Sequence, residues 1–280
     1  MIDVSNLCKT FRGPDGGPGV VACDSVSFSV ARGQALGLVG ESGSGKSTIA
    51  RILMGLETPD SGRILIAGAD RSHPARGRRE RLDRARSAQM VFQDPGGSLD
   101  PRVSILDSLV RAMRVHGISD RSEARRMGLE LLEKVRLSGR VADARPHELS
   151  GGQRQRSAIA RALAVSPQVL VLDEAVSALD VSVQAQVLEL LRELSVDMGL
   201  TSLFVSHDLA VVESICDEVM VLHRGMLVES GPAAEVLRSP QHPYTRLLIA
   251  STPSGPDWKP EEVSQLRLEF GLSHVSGRRP

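Results

Sequence analysis

A chain of 280 residues is long enough for one large or two small domains with a real core, and its 34 Lys and Arg are matched by 34 Asp and Glu. That zero formal charge argues against the electrostatic footprint of a nucleic-acid binder, and with aromatics at only 2% the core has to be Leu, Val, Ile and Ala. Three cysteines, Cys8, Cys23 and Cys216, odd in number and far apart, fit a reducing compartment and neither a disulfide framework nor a metal cluster. The sequence shows no basic-then-apolar leader and no stretch approaching bilayer length, so any membrane role is expected to come through a partner.

Ile2 to Val4 and Val20 to Val30 read as strands flanking a Gly/Pro loop from Arg12 to Gly19, which predicts antiparallel sheet with a long surface turn. Phe11, just before that loop, is either a core residue or a ring stacked on a base. The apolar run Ala35 to Val39 then leads into Gly40-Glu41-Ser42-Gly43-Ser44-Gly45-Lys46-Ser47, a match to G-x-x-x-x-G-K-[ST], and Thr48 to Met54 continues as a helix. A strand therefore feeds a glycine loop that opens a helix. Glycines 40, 43 and 45 let the backbone turn tightly and aim successive N–H groups inward, while the helix dipole adds positive charge where a triphosphate would sit. In that arrangement Lys46 reaches the β- and γ-phosphates and the Ser47 hydroxyl is a ligand for Mg²⁺.

Gly62 to Gly68 is a short strand. The arginine-dense stretch from Asp70 to Arg86 reads as a solvated helical face with no assigned chemistry, because Glu80 and Asp83 are interspersed and no aromatics interleave. Ala88 to Phe92 returns to a strand pattern and ends at Gln93-Asp94-Pro95. From Ile105 to Leu137 apolar residues recur at helical spacing, with Leu129, Leu132 and Val135 inward and Glu130, Glu133 and Lys134 outward, which predicts a helical subdomain. Arg145 to Arg156, including Leu149-Ser150-Gly151-Gly152-Gln153, reads as a glycine turn capping a helix from Ser157 to Val165, a second anion site.

Val169 to Leu172 is a buried parallel strand ending in Asp173-Glu174. Ser177 to Asp180 follows, then an amphipathic helix through Leu194, the strand Ser202 to Val205, and Ser206-His207-Asp208. Strands alternating with helices indicate a parallel sheet covered on both faces, whose ligands bind at the carboxyl ends of strands, where Gly40, Gln93, Asp173 and His207 all fall. A hairpin from Glu218 to Glu229 turns at Arg224-Gly225, followed by short helices at Pro232 to Arg238 and Tyr244 to Ala250. Beyond Ser251 the polar, proline-broken chain is expected to hold little fixed structure except around Trp258.

Taken in order, the Gly40 to Ser47 loop, Gln93, Leu149 to Gln153, Val169 to Glu174, Ser177 to Asp180 and His207 resemble the nucleotide-binding subunits of ABC transporters. The resemblance covers nearly the whole chain, and the Leu-Ser-Gly-Gly-Gln signature separates it from other NTPases that carry a phosphate loop. It implies an α/β fold: a P-loop NTPase core with a parallel sheet, an antiparallel β subdomain and an inserted helical subdomain. The expected division is 1–95 for the antiparallel β subdomain and first part of the core, 96–156 for the helical subdomain ending in the signature, 157–231 for the second part of the core, and 232–280 for a C-terminal extension.

The same resemblance implies ATP and Mg²⁺ as ligands. Phe11 would stack on adenine; Gly40, Glu41, Ser42, Gly43, Ser44, Gly45, Lys46, Ser47, Thr48 and Gln93 would bind the nucleotide, with Ser47, Gln93 and Asp173 arranging the metal and its waters. Glu174 would polarise the attacking water and His207 would contact the γ-phosphate. Leu149, Ser150, Gly151, Gly152 and Gln153 would complete the site of a second ABC ATPase subunit, identical or sibling, and Asp180 would couple the two sites. Other implied partners are membrane-spanning permease subunits and, indirectly, a solute-binding protein, at the cytoplasmic face of the cell membrane. No nucleic acid is expected.

Within the family the similarity is to the peptide/nickel importers, carried by Phe92 to Pro95, Ser98 to Arg102, Pro146 to Glu148, Glu174 to Gln186 and His242 to Arg246. Gln34 and Ala175 depart from the family's usual Glu and Pro at positions away from the phosphate chemistry. The tail has no cysteine, which argues against the iron–sulfur cluster of some subunits in this branch. The expected function is ATP hydrolysis in a head-to-tail dimer driving import of di- or oligopeptides. Nickel or small-solute import, an accessory ATPase of phosphonate breakdown and a non-transport ABC ATPase are the alternatives.

Overall fold

The computed structural model describes residues 1–13, 19–251 and 263. β1 (Ile2–Phe11) and β2 (Val20–Val30) pair antiparallel. After them β3 (Ala35–Val39) runs into the glycine loop, and α1 (Lys46–Leu53) starts at the loop's lysine. β4 (Ser61–Ile66) and β5 (Ala69–Asp70) return the chain to the first sheet, whose order is β2-β1-β4-β5. α2 (Gly77–Ser87) follows, the arginine-rich helix, with no buried residue.

β6 (Ala88–Val91) leads through α3 (Pro95–Ser98) into α4 (Ile105–Val115), α5 (Arg121–Lys134) and α6 (Gly139–Asp143), and then into α7 (Gly151–Leu163). The rest alternates: β7 (Val169–Asp173), α8 (Val181–Met198), β8 (Thr201–Val205), α9 (Leu209–Ile215), β9 (Glu218–His223) and β10 (Met226–Pro232), closed by α10 (Ala233–Arg238) and α11 (Pro243–Ala250). The larger sheet has the order β10-β9-β3-β8-β7-β6, parallel from β9 to β6 with β10 antiparallel at its edge. Among the described residues no helix is long and apolar enough to cross a membrane.

Side-chain alternation divides the core. Along β7 every residue is buried; Val169 and Val171 face one core cluster while Leu170 and Leu172 face the other. The first cluster is a sandwich in which α1, through Ile49, Ile52 and Leu53, lies between Ile2, Val4, Ile64 and Ile66 of the small sheet and Leu36 and Leu38 of the large one. The second joins the opposite face of the large sheet to the helices, including Leu106 and Leu109 of α4 and Ile159 of α7. Each such side chain contributes about 1.5–3 kcal/mol on burial, so the glycine loop is clamped from both ends: β3 is a central strand and α1 fills a core.

Several expectations change. β1 continues to Phe11 instead of stopping near Val4, bending at Asn6 (φ 50°), where the pairing with β2 slips. α7 begins at Gly151, not Ser157: Ser150 caps it by accepting the Gln153 N–H, and the Gln153 side chain accepts the Ser150 N–H in return. A glycine pair reads as a turn, yet that reciprocal cap recruits both glycines into the first helical turn. On α5, Leu129 is 39% exposed and Leu131 takes the inward place beside Leu132. The second C-terminal helix starts at Pro243, with His242 as its cap, where its fixed φ suits the first helical turn. The centre of the Arg12 to Gly19 turn, Trp258 and nearly all of the tail after Ser251 lie outside the described residues.

Candidate nucleotide site

Register places the chemistry on one edge. Val91 pairs with Leu172, Asp173 with Val205 and Leu38 with Val205, so the segments leaving β6, β7, β8 and β3 emerge side by side at the carboxyl ends of the strands. Those segments carry Gln93, Asp173-Glu174, His207 and the glycine loop.

Gly45 is the N-cap of α1 and sits at φ 109°, with no side-chain cap on the helix. A Cβ there would lie 2.0 Å from the Ala22 carbonyl oxygen, so only glycine fits against β2. With no side chain drawing on its N–H donors, the start of α1 presents them to whatever occupies the loop. Lys46 is buried and its ammonium donates to the carbonyls of Gly40 at 2.7 Å and Glu41 at 2.8 Å, with Ser44 Oγ at 3.4 Å. Burial pulls that ammonium below the usual lysine range, against the opposing pull of the Glu174, Asp173 and Glu41 carboxylates. A cation drawn out of water and held on neutral carbonyls is poised for an anion of high charge.

Asp173, buried at the end of β7, accepts the Ser47 hydroxyl at 3.1 Å. Burial pushes its carboxyl up, and the Ser47 hydrogen bond opposes the shift. Glu174 follows in the left-handed region at φ 48°, its N–H donating to the Val205 carbonyl at 2.9 Å. That conformation costs a non-glycine residue on the order of 1 kcal/mol or more, and it turns the carboxylate out of the sheet. Gln93 Nε2 then donates to Glu174 Oε2 at 3.0 Å, and His207 Nδ1 lies 3.3 Å from Oε1. Three loops from three strands thus meet on one carboxylate.

Phe11, Ser42, Gly43, Gly45, Lys46, Ser47, Thr48 and Glu174 line a single open pocket, with Val20 and Ala22 as its wall. Phe11 is 39% exposed, which disposes of the core reading, and the Lys9 ammonium sits 5.1 Å from its ring centroid. Lys9 is itself held by Glu57 at 2.8 Å and Asp60 at 3.7 Å.

A family model described as "ABC transporter" matches residues 23–177, more than half of the chain. The chain belongs to the ABC transporter family. A second model, "Oligopeptide/dipeptide transporter, C-terminal region", matches residues 228–269. The oligopeptide transport ATP-binding protein OppF of Bacillus subtilis is 43% identical over 267 residues, 95% of this chain and 87% of its own length. A putative peptide import ATP-binding protein of Brucella ovis is 48% identical over 85% of this chain and 75% of its own length. The glutathione import ATP-binding protein GsiA of Escherichia coli is 48% identical over 84% of this chain, which spans 37% of that longer protein. Among solved structures, the dimeric post-hydrolysis state of the ATP-binding cassette MJ0796, bound to ADP and Pi, superposes with a TM-score of 0.74 at 29% identity, covering 83% of this chain and 99% of that one. The protein is accordingly an ABC ATPase.

The signature of this ABC ATPase stands apart from its phosphate loop. Leu149 is buried and its carbonyl accepts from Arg154; Ser150 is exposed at the tip of α7; none of Leu149 to Gln153 lines the loop's pocket. Asp180 caps α8, accepting the Val183 N–H at 2.9 Å and the Ser182 hydroxyl at 2.8 Å, and these bonds hold its carboxyl below the usual range. Like the signature, Asp180 is not among the residues lining the loop's pocket. Two contacts of the loop carry no motif: the backing of Gly45 by Ala22, and Tyr244, whose hydroxyl accepts the Glu41 N–H. A lone tyrosine in an apolar helix, which needs a polar partner once buried, was the available signal for the second.

Proposed function

We propose that this ABC ATPase binds MgATP between the phosphate loop of one subunit and the signature of another, and that hydrolysis there drives import of di- or oligopeptides through membrane-spanning permease subunits. The observation that carries the reading is the convergence of Gln93 and His207 on Glu174 beside the loop that holds Lys46. Loop N–H groups and Lys46 neutralise the phosphates; Glu174, oriented from both sides, holds the attacking water in line with the γ-phosphate; His207 contacts that phosphate while bracing Glu174. The donor set at the end of β7, the Ser47 hydroxyl, the Asp173 carboxylate and the Gln93 amide oxygen, is all hard oxygen and suits Mg²⁺, which takes few protein ligands and keeps waters and phosphate oxygens. Mg²⁺ held there would supply charge neutralisation on the phosphates.

Ser150, Gly151 and Gly152 at the tip of α7 would meet the γ-phosphate of the facing subunit, with Asp180 at the same contact. Because the Ser150 oxygen already accepts from Gln153, its own proton is left for donation outward. The facing subunit is a second copy or a sibling ATPase, and a solute-binding protein delivers cargo on the far side of the membrane, so this chain works as a peripheral subunit at the cytoplasmic face. The relatives named for peptide, oligopeptide and glutathione import, together with the C-terminal match, favour peptides as cargo. Residues 1–95, 96–156, 157–231 and 232–280 are the proposed working parts.

Glu174→Gln keeps shape and hydrogen bonding but removes the charge that polarises water. Turnover should fall by about 10²–10⁴-fold while ATP binding, measured by titration calorimetry, stays within about threefold. Hydrolysis surviving near the parent rate would remove Glu174 from the chemistry.

A further inference from the structure

α11 follows the phosphate loop by some two hundred residues and still touches it. Tyr244, its second residue, is fully buried, and its hydroxyl accepts the backbone N–H of Glu41 at 3.0 Å. The ring packs on His223, centroids 4.0 Å apart, at the end of β9. One residue earlier in β9, the Leu222 carbonyl oxygen lies where a Cβ on Gly40 would come within 2.2 Å. The tyrosine therefore stands against the strand end that floors the loop. Its own footing is separate: the Glu229 carboxylate of β10 accepts the N–H groups of Gln241 at 2.7 Å and His242 at 3.1 Å, and His242 Nδ1 accepts the Tyr244 N–H at 3.1 Å.

The Glu41 N–H belongs to the same planar peptide as the Gly40 carbonyl, which accepts Lys46 Nζ at 2.7 Å. In a trans peptide those two groups point in opposite directions, so Tyr244 and Lys46 grip opposite ends of one rigid plate. That plate is hinged at Gly40, whose φ of 149° no other residue adopts easily, and a glycine hinge leaves the peptide free to tilt unless something outside the loop fixes it.

We propose that Tyr244 is a positioning residue for the ATP reaction: the C-terminal segment reaches back through its hydroxyl, fixes the Gly40–Glu41 peptide, and so holds the phosphate loop and its lysine in the nucleotide-binding shape. The inference rests on the loop being the ATP site. A loop held in shape before binding does not lose that freedom when ATP arrives, so the contact acts on affinity more than on the chemical step.

Tyr244→Phe removes one hydroxyl and keeps the ring on His223. In the full chain, calorimetric affinity for MgATP in a Glu174→Gln background should weaken about three- to tenfold. In the otherwise unmodified chain KM should rise by the same factor with kcat within about twofold. Amide exchange in the peptide containing Glu41 should speed up in the nucleotide-free protein. A folded Tyr244→Phe variant with unchanged ATP affinity and KM, whether or not its melting temperature falls, overturns the proposal by reducing Tyr244 to packing. Failure of the Glu174→Gln parent itself to bind MgATP would instead overturn the nucleotide-site reading. Should Tyr244→Phe not fold, Glu229→Gln decides: it loosens the footing of α11 without touching the loop, and the proposal requires a KM increase of about twofold or more, an unchanged KM overturning it.

Discussion

The chain has two glycine-rich helix starts, and they are built to opposite plans. At α1 the cap is a left-handed glycine with no side-chain partner, walled by Ala22 of β2, floored by Leu222 of β9, tied by the Gly225 N–H to the Ser44 carbonyl at 3.0 Å, and reached by Tyr244 of α11. At α7 the cap is Ser150, which closes a reciprocal bond with Gln153 and stands exposed. One end is finished by the rest of its own chain and keeps its donors for an anion; the other finishes itself and turns its tip outward. On the proposed reading, a site assembled from both ends would need two molecules, with the affinity built into the first and the completion into the second.

That contrast is easiest to break at Gly45. Gly45→Ala drives a methyl into the Ala22 carbonyl at a φ that disfavours side chains, and a loss of about 2 kcal/mol or more in urea unfolding is expected, together with at least tenfold weaker ATP binding. Wild-type stability would mean that β2 does not wall the loop. Ser150→Ala should behave differently: about 1 kcal/mol of stability lost with the cap, ATP affinity of the isolated chain unchanged, and turnover down about tenfold or more in the working assembly. Loss of ATP affinity in the isolated chain would put the signature in the wrong molecule.

The two signature glycines sharpen the comparison further. A Cβ on Gly152 would meet Val183 Cγ1 at 2.6 Å, so α8 explains that glycine from within the chain, whereas at Gly151 the nearest atom is Leu179 Cδ2 at an ordinary 3.8 Å. Gly151→Ala should thus leave stability within about 0.5 kcal/mol and still reduce turnover, since nothing in its own chain demands a glycine there. Full turnover in that variant would remove the close approach of a phosphate at Gly151.

The smallest effect concerns thiols. Hydrogen bonds from Ser61 and Ser25 hold Cys8 below the usual thiol range, while burial pushes Cys23 up to about 12 and also raises Cys216. Iodoacetamide at pH 8 should modify Cys8 first. Cys23, next to the Ala22 wall, should react only as the sheet opens, and saturating MgATP should slow it about fivefold or more if the nucleotide braces that wall. An identical rate with and without nucleotide would uncouple the wall from the site.

Much of this was legible in the chain. The apolar runs at Ala35 to Val39, Val169 to Leu172 and Ser202 to Val205 read as buried strands, and the residues that follow them fall on one sheet edge, so the order of motifs along the chain already puts Lys46, Asp173 and His207 near each other. What escaped was of two kinds. The start of α7 turned on a side-chain exchange between Ser150 and Gln153 that competes with the turn propensity of two glycines. The contacts of Gly45 with Ala22 and of Glu41 with Tyr244 join residues with no local pattern between them, and only the closing of two sheets around α1 brings them together.

The central claim is that ATP seats on the loop around Lys46, and calorimetric titration of MgATP into the full chain and its Lys46→Ala variant tests it most directly. One nucleotide should bind per wild-type chain, and the variant should bind at least about tenfold more weakly, because a charged donor to the phosphates is gone. Equal affinity in the two proteins would contradict the account.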